Sequence, residues 1–145
     1  MRIYPDTCCL QRGEDDQAQE RVRREALALE TIFERIRDGQ HQLITSEAIR
    51  LETSGIGDIR RREAIARTLA LATVDIIVTP QVSIRAVQLR GYGFRGLDAL
   101  HTACAESGSA AVLLTTDDRF IRCAERYRAV LGVRVVNPEV WLEGG

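Results

Sequence analysis

The chain has 145 residues, the size of one ordinary domain, and its 45% hydrophobic and 28% charged residues suit a packed core. Twenty basic residues against 21 acidic leave a net charge of -1, so no overall field advertises nucleic acid or a membrane surface. All 20 basic residues are arginine, which excludes a Walker A loop and Schiff-base chemistry, since both need lysine.

The run from Ile3 opens with a strand at residues 2–6. Asp15 or Asp16 is placed to cap a long helix whose apolar positions Val22, Ala26, Leu29, Phe33 and Ile36 step by three and four, and Gly39 ends it. Gln42–Thr45 reads as a short strand, with Ser46 capping the next helix and Glu47 in its first turn. Gly55 and Gly57 break that helix, and Asp58 caps another with Ile59, Ile65, Leu69 and Ala72 on its apolar face. Val74–Thr79 is strand-like, and Thr79-Pro80 starts a helix through Val82, Ala86 and Leu89.

Gly91, Gly93 and Gly96 punctuate a loop before a helix at Leu97–Ser107. Ala110–Thr115 is the clearest buried strand, Asp118 to Val130 reads as helix, and Val133–Val136 is a last strand closed by Asn137-Pro138. Strands alternating with helices predict an α/β fold: one domain over residues 1–145, with a central, mostly parallel sheet covered by helices on both faces.

The cysteines (Cys8, Cys9, Cys104, Cys123) form no C-x-x-C pair, and His41 and His101 are too scattered to complete a zinc site with them. Reduced thiols, the lack of a signal-peptide apolar segment at the N-terminus and the lack of a membrane-length apolar run predict a cytoplasmic protein without membrane contact.

In an open parallel sheet, ligands bind beyond the carboxyl ends of the strands, and four acids are expected at that edge. Asp6 ends the first strand, Glu52 lies six residues past the Ser46 cap, Asp98 opens the helix after the glycine loop, and Asp117 follows the buried strand. Four converging carboxylates repel and raise one another's pKa unless cations neutralise them. Hard oxygen ligands suit Mg²⁺ or Mn²⁺, and such a site serves metal-assisted phosphodiester hydrolysis without a nucleophilic side chain.

At these residues the sequence resembles the PIN-domain family of metal-dependent nucleases, particularly the small single-domain VapC-type toxins of toxin–antitoxin pairs. The matching segments are Ile3-Tyr-Pro-Asp6-Thr7, Thr45-Ser46-Glu47-Ala-Ile-Arg-Leu-Glu52, Leu97-Asp98-Ala-Leu-His101-Thr-Ala103 and Leu114-Thr115-Thr116-Asp117-Asp118-Arg-Phe120. The resemblance implies metal-ligating or metal-organising roles for Asp6, Glu52, Asp98 and Asp117. It also implies single-stranded RNA as substrate and an antitoxin as partner. One departure is Cys8, where family members commonly carry Asn or Ser.

Thr7 and Thr115 are expected as hydroxyls that orient the carboxylates, although either also closes a strand. Asp117 and Asp118 compete, one for metal and the other for the helix cap; the Thr-x-Asp spacing favours Asp117, with Asp118 as an auxiliary. His101, one turn after Asp98, reads first as a satisfied structural histidine and second as a substrate contact. Arg119 and Arg122 are placed for RNA, whereas the run Arg60–Arg62 reads as a solvated helix face. The apolar stripe Val22–Ile36 reads as core, with a homodimer or antitoxin surface as the minority view. Two rivals to an endoribonuclease remain: a PIN-like module that binds RNA or protein, and a DNA nuclease or phosphatase on the same acidic site.

Overall fold

The computed structural model describes residues 1–144. Five strands, β1 (Arg2–Pro5), β2 (Gln42–Ser46), β3 (Ala72–Ile76), β4 (Val112–Leu114) and β5 (Arg134–Val136), form one parallel sheet in the order β3-β2-β1-β4-β5. Eight α-helices surround it: α1 (Thr7–Gln11), α2 (Glu20–Arg37), α3 (Glu47–Ser54), α4 (Ile59–Leu69), α5 (Pro80–Gly91), α6 (Gly96–Ser107), α7 (Asp118–Arg126) and α8 (Pro138–Leu142).

Successive strand residues point to opposite faces, so each strand feeds two cores. Ile3, Leu43, Val112 and Leu114 pack with Leu29, Ile32 and Ile36 of α2 and with Cys9 of α1. Tyr4, Ile44 and Leu113 face the other way, onto Ile49, Ile65, Leu89, Ala99, Ala103 and Phe120 of α3 to α7. Both faces of the sheet are therefore covered. Among the described residues no helix is long and apolar enough to cross a membrane.

Several elements differ from expectation for local reasons. The segment after Asp6 folds as α1, because the Asp6 side chain accepts the Cys9 N–H and caps it. Neither Asp15 nor Asp16 caps α2, which starts at Glu20 after Gln19; Asp15 is drawn instead into ion pairs with Arg12 and Arg61. The buried stripe of α2 is Val22, Glu25, Ala28, Leu29, Ile32 and Ile36, with Ala26 and Phe33 on its flank. Arg61 belongs to no solvated run, since it binds Asp15, Gln11 and the Glu14 carbonyl.

Ile59 is exposed and Ala72 begins β3, where it pairs with Leu43 across a register shift. Asn137-Pro138 closes β5 as expected and also opens a further helix, α8, with Asn137 accepting the Glu139 N–H at 2.8 Å. α7 ends at Arg126, where Tyr127 leaves helical geometry and stacks on Tyr92 with ring centroids 5.0 Å apart. That stack ties α7 to the loop ahead of α6. Within the loop, Gly93 has φ +112°, a conformation that side chains with a Cβ rarely adopt.

Candidate active site

The chain runs β1, β2, β3 toward one edge of the sheet and then crosses to β4 and β5 on the other side. Connections leaving β1 and β4 therefore part in opposite directions and open a crevice at their carboxyl ends. Asp6 follows β1 directly and its N–H donates to Leu114 O at 3.0 Å, continuing the strand pairing into the crevice. Thr115, Thr116 and Asp117 follow β4 beside it.

Asp6 is 5% exposed. Its Oδ1 accepts the Cys9 N–H at 3.1 Å. Burial pushes the Asp6 carboxyl up, against the Thr115 hydroxyl, the Cys9 N–H and the charge of His101, which favour the anion. Asp98 stands in the first turn of α6 and is pushed up to about 6, by burial first and then by the charges of Asp117 and Asp6. Asp117 and Asp6 thus both act on Asp98 across the crevice. Cys8 feels the same acids: its thiol is pushed up to about 12, first by the loss of solvent around the sulfur and then by Asp6, Asp117 and Glu52.

Asp117 is itself the cap of α7, with Oδ1 accepting the N–H groups of Arg119 at 2.9 Å and Phe120 at 3.3 Å. Its own N–H donates to Thr115 Oγ1 at 3.2 Å. Asp118 caps nothing. Its two oxygens take the Nη1 and Nη2 of Arg21, both at 2.8 Å, and this pairing holds its carboxyl below the usual range. The auxiliary role expected of Asp118 is therefore that of an anchor for Arg21 rather than of a neighbour to the ligands.

Glu52 hangs from α3 and is held from two sides, with Oε1 accepting from the Thr7 hydroxyl and from His101 Nε2 at 3.0 Å. The His101 hydrogen bond is the main reason its carboxyl lies below the usual range, despite partial burial. The other ring nitrogen of His101 meets Tyr4 OH at 2.9 Å, and Tyr4 OH meets Ser46 Oγ at 2.7 Å. An ionised carboxylate only accepts, so in neutral His101 the proton sits on Nε2. Nδ1 then accepts from Tyr4, and Tyr4 accepts from Ser46. His101 is 3% exposed with both ring nitrogens hydrogen-bonded, the arrangement of its first reading as a satisfied structural histidine, and it has no free nitrogen for the second reading as a substrate contact.

Residues that sequence reasoning did not single out complete the frame. Glu25, 1% exposed, accepts Arg21 Nε at 3.1 Å and Asn137 Nδ2 at 2.6 Å, with Arg12 Nε also at 3.1 Å. Arg21 further donates to the Thr116 carbonyl at 3.1 Å. α2 is thereby strapped to the segment that carries Asp117. The (i, i+4) spacing of Arg21 and Glu25 was visible, but such pairs are ordinary on exposed helix faces. Tyr4 carried a clearer signal: it stands two residues before Asp6 and so faces the same side of the strand.

The donor set fits a hard divalent cation. It consists of carboxylates alone, two of which, Asp117 and Asp6, push up the Asp98 carboxyl, and Asp117 Oδ2 and Glu52 Oε2 carry no hydrogen bond among the described residues. In the protein alone Asp6, Asp117 and Glu52 each take a local donor, and among the described residues no three His, Cys, Asp or Glu side chains are gathered tightly enough to grip one ion.

The model of the PIN domain matches residues 3–126. No curated protein matches the chain. Among solved structures, a chain of VapBC2 from Rickettsia felis, determined bound to a DNA fragment from their promoter, superposes with a TM-score of 0.59 at 13% identity, covering 94% of this chain and 98% of that one. That likeness extends the shared fold over almost the whole length. With the family match over residues 3–126, the chain belongs to the PIN domain family, whose members are generally nucleases that use divalent metals.

Proposed function

We propose that the protein is an endoribonuclease that hydrolyses phosphodiester bonds of single-stranded RNA with Mg²⁺ or Mn²⁺. In this reading it is the toxin of a toxin–antitoxin pair, with a cognate antitoxin and a second copy of itself as protein partners, acting in the cytoplasm. The observation that carries the reading is the action of Asp6 and Asp117 on Asp98, at the point where the sheet's strand order reverses in a PIN domain. The fold shared with a chain of a toxin–antitoxin complex supports the biological role.

Asp6, Asp98 and Asp117 would hold the ion or ions, with Glu52 completing the set. A bound divalent cation lowers the pKa of a water, polarises the phosphate and neutralises charge on the leaving oxygen. The rest of the work belongs to the protein. Thr115 and the N–H groups of Cys9, Arg119 and Phe120 fix the aspartates before substrate arrives. Glu52, kept ionised by His101 and Thr7, is a poor general acid and a good fixed acceptor for orienting a water. Arg119 and Arg122, at the start of α7, meet phosphates next to the cut.

Cleavage of a labelled single-stranded RNA tests the reading. Wild type should cut with Mg²⁺ or Mn²⁺ and stop with a chelator, and Zn²⁺ should substitute poorly. Asp6→Asn and Asp98→Asn should each lose most activity, and the double variant little more, because groups acting as a unit are non-additive. Undiminished, metal-independent cleavage by Asp6→Asn would sink the mechanism. Folded wild type that binds RNA without cutting it would replace it with the binding-module reading.

A further inference from the structure

α7 sorts its charges by face. At about 100° per residue, Arg119, Arg122 and Arg126 fall within an arc of about 60°. Phe120 and Ala124 point into the core, while Asp118 and Glu125 share another flank. Both acids are occupied: Asp118 by Arg21 at 2.8 Å, and Glu125 by Arg128 at 3.2 Å. Arg119, Arg122 and Arg126 are exposed and, among the described residues, form no ion pair.

The stripe starts at the acidic crevice, since Asp117 caps α7 and its Oδ1 accepts the Arg119 N–H at 2.9 Å. Arg95, exposed at the head of α6, stands three residues before Asp98 in the first turn of that helix. From Asp117 to Arg126 the helix rises about 14 Å, roughly the rise of four stacked nucleotides.

We propose that Arg119, Arg122 and Arg126, flanked by Arg95, form a phosphate track that holds one arm of a single-stranded RNA on its way out of the acidic crevice. The inference rests on the ribonuclease reading. A carboxylate-lined cut site repels the phosphates it must receive, and a chain of net charge -1 offers no global attraction to offset that. Attraction has to be local, and this stripe supplies it within one strand's width. Guanidinium forks on phosphates read no base, so the track sets how long a substrate is gripped rather than its sequence.

The test is binding by fluorescence anisotropy, with wild type and the cleavage-deficient Asp6→Asn, to a four-nucleotide and a twelve-nucleotide RNA of mixed sequence. Arg126→Ala should weaken the twelve-mer about 10-fold and leave the four-mer unchanged, because a four-mer centred on the cut puts only about two nucleotides on this arm, short of the roughly four that reach Arg126. It should also reduce the slope of log affinity against log salt by about 0.7. Arg126→Lys should restore most of the slope, and Arg67→Ala on α4, off the track, should change neither quantity. An unchanged twelve-mer with Arg122→Ala/Arg126→Ala would overturn the track, as would equal losses for both lengths. If the track behaves as described and wild type never cleaves RNA, the nuclease reading fails and the track stands.

Discussion

Asp98→Asn should make the metal-free protein more stable while abolishing its proposed activity. The Asp98 carboxyl has an ordinary value of 3.8 and is pushed up to about 6 in the fold, by burial and by the nearby charges of Asp117 and Asp6. At full weight that difference is worth about 3 kcal/mol. Asp98 is partly exposed and sits in the first turn of α6, where the helix dipole favours a negative charge, so about 1 kcal/mol is expected to remain. The sign follows from the raised pKa: the penalty is absent below pH 3.8, grows as pH rises toward about 6, and is constant above that. In chelator-containing buffer at pH 7.5, the variant should melt roughly 4 °C higher, a gap that closes near pH 4. Mg²⁺ should then raise the Tm of wild type more than that of Asp98→Asn. Thermal unfolding followed by circular dichroism across pH gives both comparisons. A variant less stable than wild type at every pH, or a gap that ignores pH, would refute the argument that these acids strain one another.

Tyr4→Phe removes the hydroxyl that seats His101 and should lower kcat about 10-fold with little change in KM. His101→Gln, which keeps a donor toward Glu52, should retain more activity than His101→Ala, as steady-state cleavage kinetics on one RNA would show. Glu25→Ala leaves Arg12, Arg21 and Asn137 without their buried acceptor and should cost about 3 kcal/mol in urea unfolding. Cys8→Ser, at an exposed free thiol, should leave turnover close to wild type in the same cleavage assay, because no thiol chemistry is invoked.

Much of the fold was readable because its strands are short apolar runs and its helix starts obey local rules. Ser46, Asp58 and Thr79 each cap the helix they were expected to cap, through bonds that span only three residues. Where expectation failed, a distant partner had overruled the local rule. Asp15 is a good cap by type, yet Arg61, 46 residues away, binds it at 2.7 Å. Glu25 breaks the apolar stripe of α2 because Asn137, 112 residues away, and two arginines receive it inside. Periodicity alone could not separate such a buried charge from a solvated one.

The positions of the proposed acids could be set by the same local rules as the caps: Asp6 directly follows β1, Asp98 stands in the first turn of α6, Asp117 caps α7 and Glu52 lies within α3. Their supports could not, since Tyr4 reaches His101 across 97 residues and His101 reaches Glu52 across 49. Net charge misled in the same way, because it is a sum and pairing is a matter of position. Arg21 takes Asp118 and Arg128 takes Glu125, so the acids of α7 are spent on structure while its arginines form no ion pair among the described residues. In the crevice the balance runs the other way, since no arginine pairs with Asp6, Asp98 or Asp117 among the described residues. A chain with a total near zero thereby separates a negative centre, suited to cations, from a positive line suited to phosphates. In the proposed reaction, that separation lets one small domain hold a metal and a polyanion side by side.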